Sequence, residues 1–193
     1  MTIIRQQDLI DSVADALQYI SYYHPVDFIQ AVKQAYDREE SKAAKDAMAQ
    51  ILVNSRMCAM GHRPICQDTG IVTVFVRVGM NVQWQGDMSL TDMINQGVRQ
   101  AYTHPDNVLR ASILSDPDGE RKNTGDNTPA VIHYDIVPGD KVSIDVAAKG
   151  GGSEAKSKFA MLNPSDSVVD WVLKMVPTMG AGWCPPGMLG IGI

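Results

Sequence analysis

The chain has 193 residues, of which 45% are hydrophobic and 20% charged, with a formal net charge of −5 and a pI near 5.2. This balance is typical of a well-cored globular protein and excludes extensive disorder, and its acidity gives no overall field that favours nucleic acid. No apolar run reaches membrane-spanning length and the first residues lack a signal-peptide core, so we expect a soluble cytoplasmic protein with no membrane or nucleic-acid partner.

The first sixty residues have the periodicity of three amphipathic helices. Apolar residues recur at steps of three and four over about residues 8–22, and a second stripe follows Pro25. Ser41 predicts the N-cap of a third helix, which would carry Cys58 and end at Gly61. These helices predict a bundle-like N-terminal layer.

The pattern changes after residue 70. Residues 71–78 are apolar at nearly every position, which is typical of a central strand covered on both faces. Ser89 opens a capping box for a further helix. Residues 103–129 are rich in Asp, Asn, Gly and Pro and predict a long loop, and a loop of that length is usually functional or mobile.

Two strands and a helix are predicted in the last third of the chain. Residues 130–137 and 141–147 flank a Pro-Gly-Asp turn and predict a hairpin, and a helix is expected over about 165–176. The economical interpretation is one α+β domain over residues 1–193, with the N-terminal helical layer packed on a mixed β-sheet.

Reactive side chains concentrate in the stretch from Pro64 to Gly70, which reads Pro-Ile-Cys-Gln-Asp-Thr-Gly. A thiol, an amide, a carboxylate and a hydroxyl between two core-forming elements are typical of a site on a scaffold-held loop. The alternative is a polar turn with a small buried cysteine. Cys184 lies between glycines and two prolines, which would bring the backbone close and then stiffen it, or would simply form a rigid turn.

Three cysteines at irregular spacing argue against a secreted disulfide framework and leave the type of site open. Cys58, His62 and Cys66 are four residues apart and could form a zinc site with Cys184, although helix breakers lie among them. Cys58 could equally be an inert, buried thiol. Three thiolates also suit an iron–sulfur cluster that leaves one iron open as a Lewis acid.

Two further features could bind an anion. The run Lys149-Gly150-Gly151-Gly152-Ser153 could converge its N–H groups on a carboxylate or phosphate, or could be a plain flexible loop. Arg110 could clamp a carboxylate with two parallel hydrogen bonds, or could belong to a surface ion pair.

Five motifs occur in one order along the chain: C-Q-D-T-G, D-N-x-L-R-x-S, N-T-x-x-N-x-P-A, A-K-G-G-G-S and C-P-P-G. This order resembles the N-terminal part of class I fumarate hydratases, the iron–sulfur hydro-lyases that include L-tartrate dehydratase, over essentially the whole chain. The resemblance implies reversible hydration of fumarate to (S)-malate in the tricarboxylic acid cycle. The alternatives are a tartrate dehydratase-type subunit and a non-catalytic zinc-binding or structural domain.

The resemblance also implies a cofactor and a set of binding residues. The family's [4Fe–4S] cluster is held by three cysteines, of which two match Cys66 and Cys184, and the third would lie beyond residue 193. Its contacts with a small dicarboxylate map onto Gln67, Asp68, Arg110 and Gly152. Ala155 stands where the family usually has asparagine, which leaves the polar contacts of that loop open.

By the same resemblance the chain would be the N-terminal cluster-binding domain of a longer protein. Its last residues form an apolar, glycine-laced segment that looks cut in mid-element. The catalytic base would fall in a second domain, so we expect the 193 residues alone to be inactive. The whole protein is expected to be a homodimer.

Overall fold

The computed structural model describes residues 2–150, 156–180 and 189–193. The chain divides into two compact units, residues 1–149 and residues 150–193. The predicted α+β class is confirmed, because the described residues form helices together with a sheet that is mixed in direction. No helix in these ranges is long and apolar enough to cross a membrane.

Two helices of the first unit begin after their predicted N-caps, whereas the first helix begins at Gln6, two residues before its predicted start. Ser41 Oγ accepts a hydrogen bond from the backbone N–H of Ala44, and Ser89 Oγ accepts one from that of Asp92, so both predicted N-caps are confirmed. The third helix ends at Gly61 as predicted, but the left-handed residue that follows it is His62, with φ of 47°. The described helices are α1 (Gln6–Tyr22), α2 (Val26–Arg38), α3 (Lys42–Gly61) and α4 (Leu90–Tyr102).

The strands of the first unit form three small sheets. The strands are β1 (Thr2–Arg5), β2 (Ile71–Gly79), β3 (Val82–Gln85), β4 (Leu114–Ser115), β5 (Lys122–Asn123), β6 (Val131–Val137) and β7 (Val142–Lys149). In the largest sheet, β2 is central, with β6 parallel to it on one side and β7 antiparallel on the other. β1 pairs with β3 in parallel, and β4 and β5 form a short antiparallel ribbon inside the predicted long loop.

The predicted hairpin of β6 and β7 is wrong, although both strands exist. β2 lies between them, and the turn at Pro138–Asp140 passes over the end of β2 instead of joining two neighbours. The backbone N–H of Met80 donates to the carbonyl of Val137 at 2.9 Å, which fixes that crossing. Alternation identifies a strand with one buried face, but it does not identify the strand's partner.

The main core lies between the three-stranded sheet and the helices α1 and α4. Val72, Val74 and Val76 point from β2 into this layer and are fully buried. The prediction that β2 is covered on both faces is wrong for the first unit, because Phe75 on the other face is 49% exposed. The helical layer on the sheet is formed by α1 and α4, while α2 and α3 pack mainly on each other.

The second unit contains one described α-helix. α5 (Val168–Met175) is capped by Ser167, whose Oγ accepts a hydrogen bond from the N–H of Asp170. The helix begins three residues later than predicted because Asn163 and Asp166 close a turn before it. A single 3₁₀ turn, Val176–Met179, follows and contains Pro177.

Candidate functional site at one edge of the mixed sheet

The strand directions bring three of the five motifs to one edge of the sheet. β2 and β6 are parallel, so both begin at this edge, and β7 is antiparallel and ends there. The C-Q-D-T-G loop leads into β2 and the N-T-x-x-N loop leads into β6. The A-K-G-G-G-S motif leaves β7 at Lys149, which pairs with Ile71.

The loop before β2 lies against the end of β7 through Gly70. This residue has φ of +79°, and a Cβ there would stand 2.6 Å from the backbone carbon of Lys149. Only glycine combines that left-handed conformation with so close an approach of two backbones. The C-Q-D-T-G motif therefore ends in glycine because the loop must pass over Lys149.

Cys66 is an exposed free thiol in this loop. Its Sγ accepts a hydrogen bond from the backbone N–H of Asp68 at 3.4 Å. Gln67 is exposed beside it, and Asp68 is half-buried. The thiol is therefore accessible from solvent and lies beside two polar side chains.

Ile65, the residue before Cys66, is held through both its backbone N–H and its backbone carbonyl. The N–H of Ile65 donates to the carbonyl of Ser21 at 2.8 Å, and Asn54 Nδ2 donates to the carbonyl of Ile65 at 3.0 Å. Ser21 lies in the last turn of α1 and Asn54 lies in α3. The position of Cys66 is thus set by two helices.

Cys58 has a different environment. Its side chain is buried in α3, and Sγ lies 3.6 Å from both Asn54 Oδ1 and the carbonyl of Pro64. Burial raises the pKa of the Cys58 thiol, which keeps it protonated. These contacts agree with the packing interpretation of Cys58.

The structure does not bring Cys58, His62 and Cys66 together as the zinc alternative requires. His62 follows the end of α3 and its ring stacks on Tyr22, with centroids 4.7 Å apart. In the described part of the chain, no three His, Cys, Asp or Glu side chains are grouped closely enough to hold a metal ion. Cys66 is exposed and so accessible to a metal ion, whereas Cys58 is buried and hydrogen-bonded within the fold.

Arg110 is joined to the cysteine loop through its backbone. Thr69 Oγ1 donates a hydrogen bond to the carbonyl of Arg110 at 2.5 Å. The Arg110 side chain is exposed. Two sequence-predicted groups, the loop of Cys66 to Asp68 and the Arg110 segment, therefore lie next to each other.

Two residues that sequence reasoning left without a role hold this region: Tyr102 anchors the cysteine loop to α4, and Asn127 joins that loop to the Arg110 segment. The Tyr102 hydroxyl donates to the carbonyls of Thr69 and Gly70, at 2.6 and 3.4 Å. Asn127 is fully buried; its Nδ2 donates to the carbonyl of Gly70 at 2.9 Å, and its Oδ1 accepts from the N–H of Ser112 at 2.7 Å. Nothing in the sequence marks the hydroxyl of Tyr102, and the signal for Asn127 is its place in the N-T-x-x-N motif.

The remaining predicted residues lie outside the described ranges. These are Gly152 and Ala155 in the glycine-rich loop and Cys184 in the C-P-P-G motif.

Comparisons with known proteins identify the family of the chain. The model of the family described as fumarate hydratase (Fumerase) matches residues 10–193, and the chain belongs to that family. It is similar to a putative L(+)-tartrate dehydratase subunit alpha of Methanocaldococcus jannaschii, with 31% identity over 95% of this chain and 66% of the relative. It is also similar to the L(+)-tartrate dehydratase subunit alpha of Escherichia coli strain UTI89, with 33% identity over 96% of this chain and 61% of the relative. The chain thus spans 61–66% of the length of these relatives.

Proposed function

We infer that the full-length protein is a hydro-lyase that adds water reversibly to a small dicarboxylate, and specifically that it hydrates fumarate to (S)-malate in the tricarboxylic acid cycle. Membership of the fumarate hydratase family supports the reaction class. The observation that carries the proposal is the hydrogen bond from Thr69 to the Arg110 carbonyl, because it joins an arginine segment to the loop of an exposed thiol.

The proposed cofactor is a [4Fe–4S] cluster. Cys66 and Cys184 would supply two thiolate ligands, and the third would come from a cysteine outside these 193 residues. Exposure suits Cys66 for this role, whereas the buried, hydrogen-bonded Cys58 is unsuited to it. When bound, such a cluster supplies a Lewis acid for the hydroxide leaving group.

The residues of this chain would bind and orient the dianion. Arg110 is free of secondary structure and exposed, so its guanidinium could take one carboxylate with two parallel hydrogen bonds. Gln67 and Asp68, next to Cys66, would hydrogen-bond the substrate or the ligand sulfur. Gly152 would add a backbone N–H donor for the second carboxylate. The catalytic base would come from a further domain.

Assembly and location are also part of the proposal. Residues 1–193 would form the cluster-binding domain of a cytoplasmic homodimer. The relatives are named as alpha subunits, so the competing assembly is a complex with a second, different polypeptide. The polypeptides that co-purify with the full-length protein, together with the mass of the complex, distinguish the two assemblies.

A tartrate dehydratase is the second candidate activity. It is supported by the names of the two relatives at 31–33% identity. Fumarate, malate and tartrate are all small diacids, and a clamp for two carboxylates would bind each of them.

The deciding experiment is an anaerobic substrate panel on full-length protein loaded with iron and sulfide. We expect a higher kcat/KM for fumarate and (S)-malate than for L(+)-tartrate. The reverse order would replace the fumarase proposal with the second candidate. Cys66→Ser should abolish turnover and cluster absorbance, while the matched control Cys58→Ser should retain both. Loaded protein that turns over none of the three diacids would contradict both candidates.

A further inference from the structure

The backbone from Arg110 to Ile113 lies in neither a helix nor a strand. Each of its four residues is instead held by one hydrogen bond to a neighbouring loop. Thr69 Oγ1 donates to the carbonyl of 110, and Asn123 Nδ2 donates to the carbonyl of 111. Asn127 Oδ1 accepts from the N–H of 112, and the N–H of Thr124 donates to the carbonyl of 113. Three of these four hydrogen bonds come from side chains, where a strand would be held by backbone bonds to its neighbour.

Thr69 belongs to the cysteine loop and bonds directly to Arg110. Its hydroxyl donates to the carbonyl of Arg110, while its own carbonyl accepts from the buried hydroxyl of Tyr102. The threonine is thus fixed from both sides, and its side chain bonds the Cys66 loop directly to the backbone of Arg110. A hydroxyl is needed here because the group opposite it is a carbonyl, which only accepts hydrogen bonds.

Asn127 joins the same two segments at Gly70 and Ser112. One side-chain amide donates to Gly70 and accepts from Ser112, so it matches a backbone acceptor on one loop and a backbone donor on the other. The side chain is fully buried, so water does not replace either bond. Thr69 and Asn127 together form a two-point clamp between residues 69–70 and 110–112.

We propose that Thr69 and Asn127 are positioning residues that hold the backbone of Arg110 against the cysteine loop, so that the guanidinium keeps one place relative to Cys66. The inference rests on the proposed function, in which Arg110 takes a substrate carboxylate. Neither residue touches the substrate in this scheme. Both act through Arg110, and their loss weakens substrate binding by letting the arginine segment move.

Thr69→Val is the primary test, because it removes the hydroxyl and keeps the shape. The contact lies at the surface, so water can reach the Arg110 carbonyl in the variant and folding should survive. We expect KM for the preferred dicarboxylate to rise about tenfold, with kcat changed much less. Thr69→Ser keeps the donor and should have the wild-type KM.

A double-mutant cycle tests whether Thr69 acts through Arg110. In an Arg110→Ala background, Thr69→Val should raise KM by less than about twofold, because the group it positions is already gone. An equal factor in both backgrounds would overturn the proposal. So would a wild-type KM in Thr69→Val, or a Thr69→Ser variant as impaired as Thr69→Val.

Asn127→Asp tests the second point of the clamp with an isosteric change. The ionised carboxylate keeps an acceptor for Ser112 but has no donor for Gly70, so the kinetics are measured at a pH above the pKa of the new carboxyl, which burial raises. We expect Asn127→Asp to raise KM by about the same factor as Thr69→Val. In the Arg110→Ala background, Asn127→Asp should not raise KM further. The control is Asn95→Ala, which removes the bond that the N–H of Ala130 donates to Asn95 Oδ1. That bond does not involve the cysteine loop, so KM should stay unchanged. Equal KM values for Asn127→Asp and wild type would overturn the role of Asn127.

Amide hydrogen exchange provides a measurement that does not depend on activity. Peptides covering residues 109–113 should exchange faster in Thr69→Val than in Thr69→Ser, and unchanged exchange would contradict the clamp. Wild-type protein that turns over no dicarboxylate would contradict the proposed function instead. The exchange result would then still decide whether Thr69 holds the segment.

Discussion

The buried hydroxyl of Tyr102 donates a hydrogen bond to the carbonyl of Thr69, with 2.6 Å between the oxygens. Tyr102 is the last residue of α4, so this bond joins the end of a core helix to the loop that carries Cys66. The neighbouring carbonyl of Gly70 lies 3.4 Å from the same hydroxyl. The site loop is therefore anchored by a group that belongs to the hydrophobic core.

Tyr102→Phe should lower the free energy of unfolding by about 1–3 kcal/mol, because it leaves a buried carbonyl without its donor. Denaturant unfolding of the chain measures the change. Tyr134→Phe is the matched control, since its hydroxyl meets Thr91 Oγ1 at 2.7 Å on an exposed surface. The control should stay within about 0.5 kcal/mol of wild type. Equal stabilities for the two variants would contradict the anchoring role.

The same contact predicts a dependence of stability on alkaline pH. Burial raises the pKa of Tyr102 to about 12 from its ordinary 10.0. A pKa raised on folding means that the contribution of Tyr102 is complete below pH 10 and is lost as the pH rises through 12. The stability difference between wild type and Tyr102→Phe should therefore shrink by roughly 1 kcal/mol from pH 9 to pH 11. A constant difference over that range would contradict the buried, neutral phenol.

The close approach at Gly70 can be tested against a glycine of the same conformation. Gly70 and Gly125 have φ of +79° and +81°, but a Cβ at Gly70 would meet Lys149 at 2.6 Å, whereas one at Gly125 meets nothing within 4 Å. Gly125→Ala should cost about 1–2 kcal/mol of stability for the left-handed backbone alone. Gly70→Ala should cost clearly more, because the loop must also move away from β7. Thermal unfolding of both variants gives the comparison, and equal losses would mean that the approach is not tight.

Local features of the fold could be predicted from the sequence, because their causes lie within a few residues. Ser41 and Ser89 cap helices by bonds to residues three positions on, so both helix starts were correct. The partner of a strand is decided by residues far away in sequence. The strands around Pro138 were therefore found, but the insertion of β2 between them was missed.

The site residues also fall into those that the sequence predicts and those that only the structure reveals. Cys66, Gln67, Asp68 and Arg110 were proposed because their side chains can carry chemistry. Asn127 was missed because its function lies in its contacts, and its partners are 57 and 15 residues away in the chain. A polar residue in a polar loop gives no sign of complete burial. Only its place in a motif singled it out.

The two described cysteines should differ strongly in reactivity. Cys66 is exposed, whereas Cys58 is buried and its pKa is raised by burial, which lowers its thiolate fraction. Alkylation of metal-free protein, followed by peptide mass spectrometry, should label Cys66 at least about tenfold faster than Cys58. Loading with iron and sulfide should then protect Cys66 and leave the slow labelling of Cys58 unchanged. Equal labelling of the two thiols would contradict the assignment of Cys66 as the accessible ligand.

Arg110 is the residue from which the proposed function expects the largest effect on substrate binding. Arg110→Ala should raise KM for the preferred dicarboxylate by at least about tenfold, because charge-assisted hydrogen bonds to a carboxylate are lost. Arg110→Lys should recover only part of this, since an ammonium cannot reproduce the planar fork of two parallel donors. Arg77→Ala is the control: Arg77 forms an exposed 3.4 Å ion pair with Asp145 in the same sheet, and its loss should leave KM unchanged. Steady-state kinetics of the three variants test whether Arg110 binds the substrate carboxylate. A wild-type KM in Arg110→Ala would show that this arginine does not bind the substrate.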